Sequence, residues 1–106
     1  MYRFDPSSTS VTLYFRLRDS STGLAKTGLT SSSAGAVASY TRQAGSATAI
    51  TLAALALPTT AWSAGGFIEV DATNAPGLYR IDVPNAAFAS GVSCVVASLK
   101  FTGVIE

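Results

Sequence analysis

Few residues of this chain are able to do chemistry, and their types narrow what that chemistry is. The 106 residues include no histidine, which removes the commonest general base and metal ligand. A serine or cysteine nucleophile therefore has no imidazole to activate it. Cys94 is the single cysteine. It falls in an apolar run, where a thiol is inert packing, and it has no partner for an intrachain disulfide. The remaining candidates are carboxylates: Glu69 and Asp71 two residues apart, with Asp5, Asp19 and Asp82 elsewhere. Two acids at that spacing suit calcium or a glycosidic bond. No Asp-x-Asp-x-Asp-Gly run accompanies them, so they read as solvated strand acids. No glycine-rich phosphate loop is present. The expectation is a protein that is not an enzyme, with no cofactor and no metal.

Composition points the same way. Charged residues make up 12% of the chain and the net charge is +1, about half the usual charged fraction. A nucleic-acid binder needs a clustered basic face, and none is written here. The most apolar run, residues 49–57, is too short to span a bilayer. Met1 opens onto Tyr-Arg-Phe-Asp-Pro with no apolar signal region. A surface so poor in charge suits either a Ser/Thr-coated β domain or a subunit packed in an assembly.

The elements that must position these residues are strands. Ile68 and Val70 alternate with Glu69 and Asp71, and Tyr79, Ile81 and Val83 alternate with Arg80 and Asp82, each the pattern of a strand with one wet face. Residues 9–18 set Val11, Leu13, Phe15 and Leu17 against Thr12, Tyr14, Arg16 and Arg18. Residues 36–43 carry Val37 as the apolar anchor, with Tyr40 on the other parity. Residues 48–55 form a further strand, and residues 92–102 the last, with Val95, Ala97, Leu99 and Phe101 inward. Leu24 and Leu29 are expected to tuck inward, and Phe88 to plug the core. Six or seven strands at this spacing predict an all-β, single antiparallel sandwich over residues 9–106. Residues 1–8 precede it as a short arm. Tyr2, Arg3 and Phe4 in that arm pack on the sandwich end or reach a partner. Trp62, in a loop of small residues, is either a lid on the core or an exposed anchor, and its size favours the lid.

The stretch 71–79 admits two arrangements. Pro76 presets a turn and Gly77 accepts the positive φ that a type II turn requires. A corner carrying the chain between sheets, with the Tyr79 hydroxyl on loop backbone, is similar to the tyrosine corner of immunoglobulin-like (Ig-like) sandwiches. A plain hairpin is the rival, and ladder bonds between 68–71 and 80–83 decide for it. The corner is the expectation, with Asp71, Pro76, Gly77 and Tyr79 as its residues.

The phrase Glu69-Val70-Asp71-Ala72-Thr73-Asn74-Ala75-Pro76-Gly77-Leu78-Tyr79 resembles one that recurs in small proteins and N-terminal modules of tailed bacteriophages. Leu17-Arg18-Asp19-Ser20-Ser21-Thr22, Lys26-Thr27-Gly28-Leu29-Thr30-Ser31 and Phe88-Ala89 fit the same pattern. The resemblance implies a β-sandwich virion component: a head decoration (cement) protein, or a module of tail, baseplate or fibre. The implied partners are the major capsid protein or other virion proteins, with self-association into a homo-oligomer and no nucleic acid or membrane. The implied location is the virion, assembled in the bacterial cytoplasm. The competing class is a sugar-binding module, for which Trp62, Tyr14 or Tyr40 would line one face.

Overall fold

The computed structural model describes residues 9–92 and 94–105. The expected arm, with Tyr2, Arg3 and Phe4, lies outside the described residues. The strands are β1 (Thr12–Arg16), β2 (Arg18–Asp19), β3 (Val37–Arg42), β4 (Ala47–Ile50), β5 (Ala53–Ala54), β6 (Gly66–Asp71), β7 (Ala75–Asp82), β8 (Val95–Lys100) and β9 (Val104–Ile105). One 3-10 turn, Asn85–Phe88, lies between β7 and β8. The fold is an all-β sandwich. One sheet runs in the order β1-β7-β6-β5, the other in the order β4-β3-β8, and β2 pairs with β9. All pairings are antiparallel except β5 with β6, which run parallel for two residues.

Alternation explains which side chains meet. Leu13, Ile81 and Phe67 share one row of the first sheet, and Phe15, Tyr79 and Glu69 the next. Opposite them lie Ala38, Tyr40, Ile50, Val95 and Leu99 from the second sheet, all buried. Phe67 stacks on Tyr79 with ring centroids 5.3 Å apart and tilts against Phe101 at 5.5 Å, so an aromatic cluster ties the sheets together. Phe88 and Leu29 close the core as expected.

Three inward assignments reverse. Val37 is 57% exposed and Leu24 70% exposed, while Tyr40 is buried. In β3 the core face is Ala38 and Tyr40, because those residues oppose Ile50 and Leu99; one step of parity sends Val37 outward. In β6 the core-facing parity is Phe67 and Glu69, with Ile68 on the other side beside Arg80.

The corner is also corrected. β6 and β7 form a hairpin, with Phe67 opposite Ile81, Ile68 opposite Arg80, and Glu69 opposite Tyr79. Its tip is closed by Asp71, whose Oδ1 accepts the N–H groups of Thr73 and Asn74 at 2.9 and 3.0 Å. The register shifts between Glu69 and Asp71, so Pro76 and Gly77 belong to a bulge in β7 and not to the turn. The physical reason is that an Asx turn at Asp71 reverses the chain two residues before the Pro-Gly pair. Gly77 does take positive φ, +81°.

Candidate functional site

The expected wet face of β7 is buried. Arg80 is 5% exposed and Asp82 fully buried, because the uncharged 58–65 loop folds over that face. The Arg80 guanidinium donates to both oxygens of Asp82, Nε to Oδ1 at 2.8 Å and Nη2 to Oδ2 at 2.9 Å. Its Nη1 donates to the carbonyls of Pro58 and Thr60, each at 2.8 Å. Asp82 further accepts the Thr12 hydroxyl at 2.8 Å and the Ser63 N–H at 3.0 Å. Every Asp82 lone pair is thus used, as a buried carboxylate requires. Hydrogen bonding to Asp82 raises the Arg80 guanidinium above even its ordinary range. The pair is a clasp for the loop.

Trp62 rides on that loop. It is half-buried, and its indole N–H donates to the Val11 carbonyl at 3.1 Å. The ring therefore covers the start of β1, the lid arrangement, with part of its surface left to solvent.

Tyr79 performs a comparable task at the other end. Its hydroxyl donates to the Lys26 carbonyl at 2.7 Å and accepts the Leu29 N–H at 3.2 Å. It bonds loop backbone as expected, but in the 26–29 segment and not in its own turn. Burial, with the Glu69 carboxylate nearby, raises its phenol above the usual range. Gly77 lets β7 approach that region: its carbonyl accepts Leu17 N–H at 2.8 Å, and a Cβ there would lie 2.7 Å from the Leu17 oxygen. Asp71 works only on its own turn. Backbone and side-chain hydrogen bonds from Asn74, then the Thr73 N–H, lower its carboxyl below the ordinary value.

The 58–65 loop covers the outer face of the first sheet at β7 and leaves Tyr14 and Arg16 of β1 exposed, whereas β4-β3-β8 presents a broader open face. It presents Ala47 and Ala49, Val37, Ser39 and Thr41, and Val96, Ser98 and Lys100, in register across three strands. Among the described residues, Lys100 is its only charge. β4 forms an edge of this sheet, and Ala47, Thr48 and Ala49 on it are exposed. No residue between Arg42 and Glu69 is charged. Free edges usually carry lysine or proline to prevent strand addition; β4 carries neither.

Comparison with known proteins finds no matching family model, no matching curated protein and no matching solved structure. The residues themselves therefore carry the functional reading. Tyr40 is buried and Tyr14 is 47% exposed on the opposite sheet, so Trp62, Tyr14 and Tyr40 do not line one face. Sequence reasoning missed the Arg80–Asp82 clasp, since two charges in alternation carry the same pattern whether water or a loop covers them. The charge-free run from 43 to 68 was the available signal.

Proposed function

We propose that this chain is a non-enzymatic structural subunit of a tailed-phage virion. In this reading it is a capsid decoration, or cement, protein that docks on the head shell through the open face of β4-β3-β8. The carrying observation is that face: built of small and β-branched residues and, among the described residues, charged only at Lys100. A face of this kind, kept exposed on a lone monomer, is a solubility cost that a permanent contact removes. The uncharged β4 edge supports self-association beside it. The phrase around Asp71–Tyr79 supports the phage context by resemblance.

The same features serve a tail, baseplate or fibre module, where the partner is another virion protein. Sedimentation separates these readings. Purified protein mixed with heads that lack it should pellet with them in a saturable manner. Recovery on tails alone assigns the tail reading, and retention on host envelope glycans with no affinity for either particle overturns the virion reading.

A further inference from the structure

We propose that the flank of the sandwich between the 28–31 segment and the β5–β6 edge binds an extended segment of a partner polypeptide through one arginine or lysine side chain seated beside Glu69. A cavity of about 270 Å³ opens there, lined by Leu29, Ala54, Leu55, Phe67, Ile68 and Glu69 among others. Its volume is below the range of drug-sized ligand pockets and suits a single long side chain. Thr30 and Ser31 contribute hydroxyls, and Glu69 is the one charged residue among the described lining. Glu69 Oε1 accepts the Gly28 N–H at 3.0 Å, while Oε2 is buried with no hydrogen-bond partner among the described residues.

A buried carboxylate oxygen without a donor is an unpaid desolvation, and proteins rarely leave one so. The other carboxylates of the described chain are engaged: Asp19 by backbone N–H groups and Lys26, Asp71 by its turn, Asp82 by Arg80. Glu69 alone keeps an acceptor in reserve. An aliphatic stem ending in a cation suits this cavity, the stem against Leu29 and Phe67 and the cation against the Glu69 carboxylate, where a small turn of the group brings Oε2 to it.

The edge beside the cavity specifies a polypeptide over a free amine. β5 is the last strand of its sheet. Ala53 N–H bonds the Gly65 carbonyl at 2.9 Å and Leu55 N–H the Phe67 carbonyl at 3.3 Å. Strand alternation therefore turns the N–H and C=O of Ala54, between them, outward. An extended segment adding to this edge gains main-chain hydrogen bonds while one side chain enters the cavity, a familiar division between affinity and specificity. This site is separate from the open face and goes beyond the shell-docking reading.

The test uses the ¹⁵N-labelled full chain and three probes: acetyl-Ala-Ala-Arg-Ala-Ala-amide, the same peptide with norleucine for arginine, and butylguanidinium. The arginine peptide should give saturable amide shifts at Leu29, Ala54 and Glu69. The norleucine peptide should bind roughly tenfold more weakly, the loss of one charge-assisted hydrogen bond. Glu69→Gln retains an acceptor for Gly28 and should weaken the arginine peptide by a similar factor. Ala54→Pro removes the outward N–H while sparing the Ala53 and Leu55 N–H bonds to the sheet; it should weaken the peptide and leave butylguanidinium unchanged. Equal binding of the arginine and norleucine peptides overturns the role of Glu69, and this comparison needs no variant to fold. Butylguanidinium binding as tightly as the peptide overturns the polypeptide assignment. No virion particle is present, so failure here is distinct from failure to sediment with heads.

Discussion

Arg80 and Asp82 stand two residues apart on one strand and grip each other side by side, at 2.8 and 2.9 Å, beneath a loop that contains no charge of its own. The guanidinium's remaining reach goes to the loop carbonyls of Pro58 and Thr60, and the carboxylate's to the Ser63 N–H. One ion pair thus converts a polar strand face into an interior.

Asp82→Ala leaves a buried guanidinium uncompensated and should cost about 3–5 kcal/mol. The loop should detach with it, so urea denaturation and a red shift of Trp62 emission should report together. Replacing both partners by apolar residues, Arg80→Met with Asp82→Leu, should recover much of the stability, since an uncharged buried pair carries no desolvation cost. A single variant as stable as the parent would mean that the clasp contributes nothing.

Tyr79→Phe strands the Lys26 carbonyl and the Leu29 N–H and should cost about 1–3 kcal/mol. The phenol's folded pKa lies above its ordinary value of 10.0. Its contribution is therefore complete below pH 10 and is lost as pH rises through the higher folded value. Tyrosinate absorbance should show one tyrosine ionising together with loss of β-sheet circular dichroism, and Tyr79→Phe should remove that coupled step.

Gly77→Ala meets both a positive φ of +81° and the Leu17 oxygen at 2.7 Å, whereas Gly103, at φ +73°, has open space around it. The first substitution should cost more than about 1 kcal/mol, and clearly more than Gly103→Ala. Equal melting temperatures for the two variants would argue against close packing at the β7 bulge.

At the hairpin tip the Asp71 carboxyl is depressed from its ordinary value of 3.8 by Asn74 and Thr73. Its contribution holds above that pH and fades as pH falls through the folded value. The Thr73 and Asn74 amide resonances should shift in acid below the usual carboxylate range, and Asp71→Ala should abolish that titration.

Much of the fold was legible because period-2 alternation reports burial directly where only one face is covered. Leu13 and Leu17 in the first strand run, and Val95, Leu99 and Phe101 in the last, are buried as their spacing requires. Legibility failed where a face was covered by something that alternation does not encode. Arg80 and Asp82 look solvated until the 58–65 loop lies over them. Val37 looks like an anchor until pairing with Ile50 and Leu99 assigns the core to Ala38. Pro76-Gly77 signals a turn, yet Asp71 completes one first and leaves the pair to shape a bulge. Glu69 was visible only as a strand acid, since its neighbour Gly28 is distant in sequence.

Shell docking through the open face is tested most directly by co-sedimentation with heads that lack the subunit, comparing the parent chain with the double variant Ala49→Lys, Val96→Lys. Both positions point to solvent, so the variant should keep the parent's circular dichroism and melting temperature. The parent should pellet in a saturable manner and the variant should bind at least tenfold more weakly, because two desolvated ammonium groups would oppose the contact. A folded variant that pellets as well as the parent, or a parent that stays in the supernatant, would contradict docking through β4-β3-β8.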